Sequence, residues 1–186
     1  MSVKFKHDDT YSMYFCTFTC FDWLPLIDIT NSYDIVYNWF NYLKSKEVFV
    51  IAYVIMPNHL HCILHFPSPN FNLNKVIGNG KRFMAYEIIK RLHNKEETLL
   101  IQSLSNAVTP RERQKGQLHK VFKGSFDAKP IFSDKFLIQK INYIHHNPVS
   151  GKWNLAEDFV SYEYSSASFY EVGIGQHFVP IHYKDL

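Results

Sequence analysis

The feature that most constrains the fold is a pair of adjacent apolar segments. Glu47–Met56 is a nearly continuous apolar run, which is typical of a strand buried on both faces. Pro57-Asn58 interrupt the run, and apolar residues then alternate with histidines over His59–Phe66. Alternation with a period of two predicts a strand with one face on the core. Because only two residues separate the segments, we expect an antiparallel hairpin at the centre of a sheet.

The second strand of this hairpin carries histidines on the face opposite its core residues. His59 and His61 are expected to stand side by side on that open face, about 7 Å apart at the backbone. Two imidazoles in this position can bind the same metal ion. Taken alone, such a pattern is more often just an exposed polar face, and His65 is expected to be such a surface residue. The residues expected to pack inward are Leu60, Cys62, Leu64 and Phe66.

The rest of the chain indicates a further strand, three helices and one strand or hairpin. Asn94–Gln117 is difficult to interpret, with a possible helix at Leu99–Leu104 and a loop at Thr109–Gln117. The other predicted elements are a strand over Tyr11–Phe21, a helix from Thr30 or Asn31 to Ser45, a helix over Leu73–His93, a strand or hairpin over Leu118–Ile131, and a helix over Asp134–Asn147.

This order predicts an α+β fold with a mainly antiparallel sheet and helices packed on one face. The sequence shows no internal repeat and no second domain boundary. We therefore expect a single domain over residues 1–186, with a core at about 11–170 and a C-terminal tail at 171–186.

Composition excludes few classes of function. The net charge of +3 permits a nucleic-acid partner without requiring one. Three cysteines without C-x-x-C spacing are typical of a reducing cytoplasm rather than of disulfides or a zinc site. No apolar run has membrane-spanning length, and the polar segment Met1–Asp9 has no signal-peptide core. We expect a cytoplasmic protein without a membrane partner.

The last helix carries Tyr143 and Asn147 on one face, because they are four residues apart. A tyrosine near two metal-binding histidines suggests a nucleophile beside a Lewis acid. A phenol is mostly protonated at neutral pH, and a divalent cation on a phosphate would compensate for its weak nucleophilicity. Asn147 could add an oxygen ligand, and a His-His-amide set suits Mg²⁺ or Mn²⁺ better than zinc. Alternatively, Tyr143 is a core aromatic, and Asn147 simply ends the helix before Pro148.

Basic residues in two regions are candidates for contact with a phosphate backbone. Solvated helix faces and lysine-protected edge strands explain the same pattern, so both interpretations stay open. The candidates are Lys81, Arg82, Lys120, Lys123 and Lys129.

Two motifs together resemble one protein family. V-I-M-P-N-H-L-H-C-I-L (Val54–Leu64) looks like the His-hydrophobic-His signature of the single-tyrosine HUH transposases. Q-K-I-N-Y-I-H-H-N-P-V (Gln139–Val149) resembles their tyrosine helix. The tail Y-E-Y-S-S-A (Tyr162–Ala167) is similar to the subgroup associated with repetitive extragenic palindromes (REP) of bacteria.

The resemblance implies a fold, an activity and roles for four residues. The fold would be a ferredoxin-like sheet. The activity would be Mg²⁺- or Mn²⁺-dependent cleavage and rejoining of hairpin-bearing single-stranded DNA through a 5′-phosphotyrosine. Tyr143 matches the nucleophile, and His59, His61 and Asn147 match the metal ligands. A homodimer is possible, and the protein would be associated with the bacterial nucleoid when acting.

Two alternatives remain open at this point. A domesticated, non-catalytic DNA-binding protein could retain the same scaffold. A hydrolase could use His59, His61 and His65 around a metal, with water as its nucleophile. The first would not need the full set of site residues, and the second leaves Tyr143 unexplained.

Overall fold

The computed structural model describes residues 11–186. The predicted absence of a signal peptide in Met1–Asp9 concerns residues outside this range. The strands are β1 (Met13–Thr19), β2 (Phe49–Met56), β3 (His59–His65) and β4 (Asp127–Pro130). The α-helices are α1 (Leu26–Ile29), α2 (Tyr33–Lys44), α3 (Leu73–Asn94), α4 (Thr98–Asn106), α5 (Pro110–Gln114), α6 (Asp134–His146) and α7 (Ala167–Val172). Short 3₁₀ helices span Phe21–Trp23, Asn147–Val149 and Tyr183–Asp185.

The strands form one antiparallel sheet in the order β2-β3-β1-β4. This order is the ferredoxin-like one, so the predicted fold class is confirmed. The hairpin is confirmed as well, with Met56 paired to His59 across the two-residue turn. The predicted strand at Leu118–Ile131 is shorter than expected, because only β4 pairs along the edge of β1 and Phe122 makes an isolated bridge to Cys20.

Helices cover both faces of the sheet rather than one. Residues of α2 and α3 pack with the inward side chains of β1 and β3 in one buried cluster. Helix α6 covers the opposite face, where Leu137, Ile141 and Ile144 join a second buried cluster. Phe15 and Ile63 lie on this second face and supply the apolar surface that α6 needs. The histidine face of β3 was expected to be open to solvent, but α6 covers it.

The helix boundaries differ from the sequence prediction in two places, at the start of α2 and after Thr109. Helix α2 begins at Tyr33 after Ser32 rather than at Thr30 or Asn31, and Thr30 Oγ1 donates to the Leu26 carbonyl of the preceding turn instead of capping α2. The helix predicted over Leu73–His93 is confirmed as α3, which continues through Gly78-Asn79-Gly80, and a Cβ at Gly80 would lie 2.6 Å from a ring carbon of Trp39. The predicted loop after Thr109 contains α5, which begins with a capping box between Thr109 and Glu112.

The C-terminal segment contributes to the packing of the sheet. Phe178 is buried in the first cluster, and its carbonyl accepts a hydrogen bond from the Tyr53 hydroxyl at 3.1 Å. The Ile181 amide donates to the Val50 carbonyl at the free edge of β2. Within residues 11–186, every helix is too short or too polar to cross a bilayer.

Candidate functional site

The site centres on two histidines in the middle of the protein. His59 and His61 come from alternate positions of β3, so their side chains leave the sheet on the same face. Their ring centroids lie 4.7 Å apart, and each residue is only 5% exposed. The cover comes from aromatic neighbours. Phe15 stacks on His61 at 5.5 Å, and Trp23 and Trp153 flank His59 at 5.9 and 6.2 Å.

Hydrogen bonds hold both imidazoles by their Nδ1 atoms. The Asn58 side chain donates through Nδ2 to the Trp23 carbonyl, which turns its oxygen toward His59. His59 Nδ1 donates to that oxygen at 2.6 Å, so Nε2 carries the free lone pair. His61 Nδ1 lies 2.6 Å from Thr17 Oγ1, a hydroxyl that can donate or accept, so this hydrogen bond orients the ring without fixing its tautomer. Because both rings are held at Nδ1, Nε2 is the atom through which each could bind a ligand.

Burial keeps both histidines neutral. Desolvation lowers the pKa of His59 to about 4 and that of His61 to about 3. Lys152 adds to the effect at His59, and His59 and Lys140 add to it at His61. A neutral imidazole is the form that binds a metal ion.

Asn147 lies at the C-cap of α6, where the helix passes into a 3₁₀ turn before Pro148. Its side chain is close enough to His59 to favour the protonated form of that imidazole. The contact lacks hydrogen-bond geometry, because Asn147 Oδ1 is buried and has no hydrogen-bond partner among residues 11–186. An orphaned buried acceptor costs free energy unless a ligand satisfies it.

These donors fit a hard divalent cation. Two adjacent imidazoles, with an orphaned amide oxygen near His59, offer a ligand set that Mn²⁺ or Mg²⁺ accepts when water completes the shell. Between residues 11 and 186, no three His, Cys, Asp or Glu side chains come close enough to hold a metal ion. His65 lies beside Phe49 at the far end of β3, so the structure does not bring together the three histidines that a hydrolase would use.

Tyr143 projects from α6 over the same face of the sheet. Its ring contacts His61 at 5.2 Å and Phe15 at 5.9 Å, yet 48% of the residue is exposed. The Lys140 ammonium, one helical turn earlier, lies 5.4 Å from the Tyr143 ring and 5.0 Å from that of Phe15. Partial burial and the charge of Lys129 lower the pKa of Lys140. The structure thus places an accessible phenol and an ammonium beside the histidines.

A cleft of about 430 Å³ opens between β1, β4 and α6. Its walls include His61 and Tyr143, together with the basic side chains of Lys123, Lys129 and Lys140. Asp127 is its one acidic lining residue within the described range. The cleft is therefore positively charged, as a phosphate-binding surface must be.

The predicted DNA-contact residues occupy different environments. Lys123 and Lys129 line the cleft, whereas Lys120 forms an ion pair with Glu112 at 3.0 Å. Arg82 is exposed on α3 beside Phe83. Lys81 points inward and donates to the carbonyls of residues 123 and 125 at 2.6 and 3.1 Å, and burial lowers its pKa to about 8. Its ammonium therefore anchors the segment before β4.

Several residues of the site were not among those predicted. Asn58 directly precedes His59, and Lys140 precedes Tyr143 by one helical turn, so both were within reach of sequence reasoning. Thr17 and Trp23 were not, because the register between β1 and β3 alone brings Thr17 opposite His61.

Comparison with known proteins supports the fold. No family model matches the chain, and no curated protein does. Among solved structures, the chain is similar to a REP-associated tyrosine transposase bound to a REP hairpin, with a TM-score of 0.60 and 17% identity over 89% of this chain and 81% of that one. A candidate transposase from Deinococcus radiodurans aligns with a TM-score of 0.42 and 12% identity over 71% of this chain and 87% of that one. The chain therefore has the fold of the REP-associated tyrosine transposases.

Proposed function

We propose that the protein is a metal-dependent transposase or endonuclease that cleaves and rejoins hairpin-bearing single-stranded DNA through a covalent 5′-phosphotyrosine. Tyr143 is the nucleophile, and His59, His61 and Asn147 hold Mg²⁺ or Mn²⁺. The observation that carries the proposal is the orphaned Asn147 oxygen beside two neutral imidazoles, with an exposed tyrosine on the same face.

The proposed reaction follows from the surroundings of Tyr143. Its phenolic oxygen bonds to phosphorus, and the bond from phosphorus to the 3′ oxygen breaks, which leaves a free 3′ hydroxyl. The phenolic proton passes to water in the open cleft, and the departing oxygen gains a proton. A divalent cation, when bound, neutralises charge on a phosphate oxygen. Rejoining reverses these steps, because the phosphotyrosine keeps the energy of the broken phosphodiester.

Lys140 and the cleft lysines have a separate task. The Lys140 ammonium beside the Tyr143 ring stabilises negative charge that develops on the phenolic oxygen and the phosphate. Lys123 and Lys129 line the path on which a strand would lie. Because Tyr143 and His61 of one chain are already in contact, we infer that the tyrosine acts in the site of its own chain.

The test is formation of a covalent adduct. Wild-type protein is incubated with labelled hairpin single strands and Mn²⁺, and the products are resolved under denaturing conditions. A labelled protein band that disappears with Tyr143→Phe or with a chelator supports the proposal. Binding without cleavage of any strand would instead favour the non-catalytic DNA-binding protein. Cleavage that survives Tyr143→Phe would favour a hydrolase.

A further inference from the structure

Trp23 is a large apolar side chain in an unusual position. The residue is 52% exposed, and among the described residues it belongs to neither of the two buried clusters. It lies at the rim of the candidate site, with its ring centroid 5.9 Å from that of His59, and it lines the same cleft as Tyr143. Packing of the core therefore does not account for the indole.

The backbone at this position is strained. Asp22 and Trp23 adopt φ values of 51° and 58°, a region that bulky side chains rarely occupy. The conformation lets the Trp23 carbonyl accept the Asn58 amide, and Asn58 in turn holds His59. Any residue could supply that carbonyl, and glycine or asparagine would do so with less strain. The carbonyl explains the backbone geometry but not the tryptophan.

A basic side chain accompanies the indole. The Lys123 ammonium lies 4.2 Å from the centroid of the Trp23 ring, and both residues line the cleft. Proteins that bind single strands combine an aromatic face for the base with a cation for the adjacent phosphate. By contrast, Trp153 on the other side of His59 packs against the second buried cluster and is explained by packing.

We propose that Trp23 is the stacking platform for a nucleobase of the single strand next to the phosphate cleaved in the site, with Lys123 taking the phosphate of the same nucleotide. The inference rests on the proposed function, because it assumes that the strand occupies the cleft beside His61 and Tyr143. Since every base has a π face, such a platform holds the strand in place without reading its sequence. Trp23 is thus a positioning residue rather than a catalytic one.

The experiment distinguishes binding to the nucleobase from binding to the sugar-phosphate backbone of the DNA. Tyr143→Phe protein, which cannot form an adduct, is titrated without metal with a fluorescent thymidine oligonucleotide of about 12 nucleotides and with an abasic strand of the same length. The test variant is Trp23→Asn, since asparagine tolerates positive φ and keeps the carbonyl. The matched control is Tyr42→Asn on α2. Tyr42 is 53% exposed and has Lys46 5.8 Å from its ring, but it lies outside the cleft.

We expect the parent protein to bind the thymidine strand more tightly than the abasic one. Trp23→Asn should reduce that preference by about 5- to 150-fold, the usual contribution of one stacked base, and leave abasic binding unchanged. Tyr42→Asn should alter neither affinity. An unchanged preference in Trp23→Asn, or an equal loss for both strands, would overturn the inference.

Two further measurements complete the test. If Trp23→Asn does not fold, strands that carry one 2-aminopurine at successive positions are titrated into the parent protein. The inference is overturned if the 2-aminopurine emission stays unchanged on binding at every position. Adduct formation by wild type is scored separately. Its absence refutes the proposed reaction, whereas adducts together with an intact base preference in Trp23→Asn refute only the stacking role.

Discussion

Asn58 gives the sharpest test of how the site is built. It is 3% exposed and makes two side-chain hydrogen bonds, one to the Trp23 carbonyl at 2.8 Å and one from His59 Nδ1 at 2.6 Å. Asn58→Ala removes both and leaves the buried Nδ1–H of His59 without an acceptor. Two lost hydrogen bonds of about 1 kcal/mol each, plus an unsatisfied buried donor that costs about 1–3 kcal/mol, lower the free energy of unfolding by about 3–5 kcal/mol.

The same change should weaken metal binding. Without its acceptor, His59 is free to rotate and to adopt the tautomer that protonates Nε2. Loss of such a support typically lowers metal affinity by about 10- to 100-fold. Isothermal titration of Mn²⁺ into the folded variant measures this effect, and urea unfolding measures the loss of stability.

Thr30→Val is the control for stability alone. Thr30 is 2% exposed, and its hydroxyl bonds to the Leu26 carbonyl and to Ser32 Oγ, away from the site. We expect it to destabilise the fold by about 1–3 kcal/mol while Mn²⁺ affinity stays at the wild-type value. If Asn58→Ala binds Mn²⁺ as tightly as Thr30→Val does, the reasoning about His59 is refuted.

Three other predictions follow from the packing and the charges. Gly80→Ala should destabilise the protein by about 1–3 kcal/mol because the new Cβ meets Trp39. Gly78→Ala on the same helix should stabilise it by about 0.5–1 kcal/mol, because nothing lies within 4 Å of that Cβ. A higher melting temperature for Gly80→Ala than for Gly78→Ala would contradict the packing. Asn147→Leu should fold as well as wild type, since it removes an orphaned oxygen, but should lose Mn²⁺ affinity in titration calorimetry; retained affinity would exclude Asn147 as a ligand. Burial lowers the pKa of His59 to about 4 and that of His61 to about 3, so between pH 6.5 and about 4 the unfolded chain binds protons that the folded chain does not. The free energy of unfolding should therefore fall by about 1.4 kcal/mol per pH unit for each histidine as the pH drops through that window. A constant urea midpoint from pH 7 to 5 would contradict the burial.

Patterns among residues close in sequence predicted most of the elements of the fold. The period-two alternation of β3 and the two-residue break at Pro57-Asn58 predicted the hairpin, and the helix predicted to begin at Asp134 is α6, where the Ser133 hydroxyl accepts the Phe136 amide. These features depend on neighbours in sequence, which is why they can be read directly.

Features that depend on distant residues could not be predicted in this way. The burial of His59 and His61 results from α6 packing over their face, and the local sign of an apolar cover was Ile63, two residues after His61 on the same face of the strand. The inward position of Lys81 depends on carbonyls more than forty residues away in the chain. Lysines that look equivalent in sequence therefore have different environments once the sheet is assembled.

The site was predicted in part. His59, His61, Tyr143 and Asn147 do lie together on one side of the sheet, and their roles in metal binding and catalysis stay predictions. Of the residues that orient the histidines, Asn58 is adjacent to His59 in sequence, whereas Thr17 is brought opposite His61 only by the register between β1 and β3.

The most direct test of the central claim is to identify the residue that becomes attached to DNA. Wild-type protein, Mn²⁺ and a labelled hairpin strand are allowed to react, and the adduct is digested and sequenced by mass spectrometry. The account predicts a nucleotide 5′-phosphate on Tyr143, no adduct with Tyr143→Phe, and a free 3′ hydroxyl on the released strand. A phosphate on any other side chain, or cleavage by Tyr143→Phe at the wild-type rate, would contradict it.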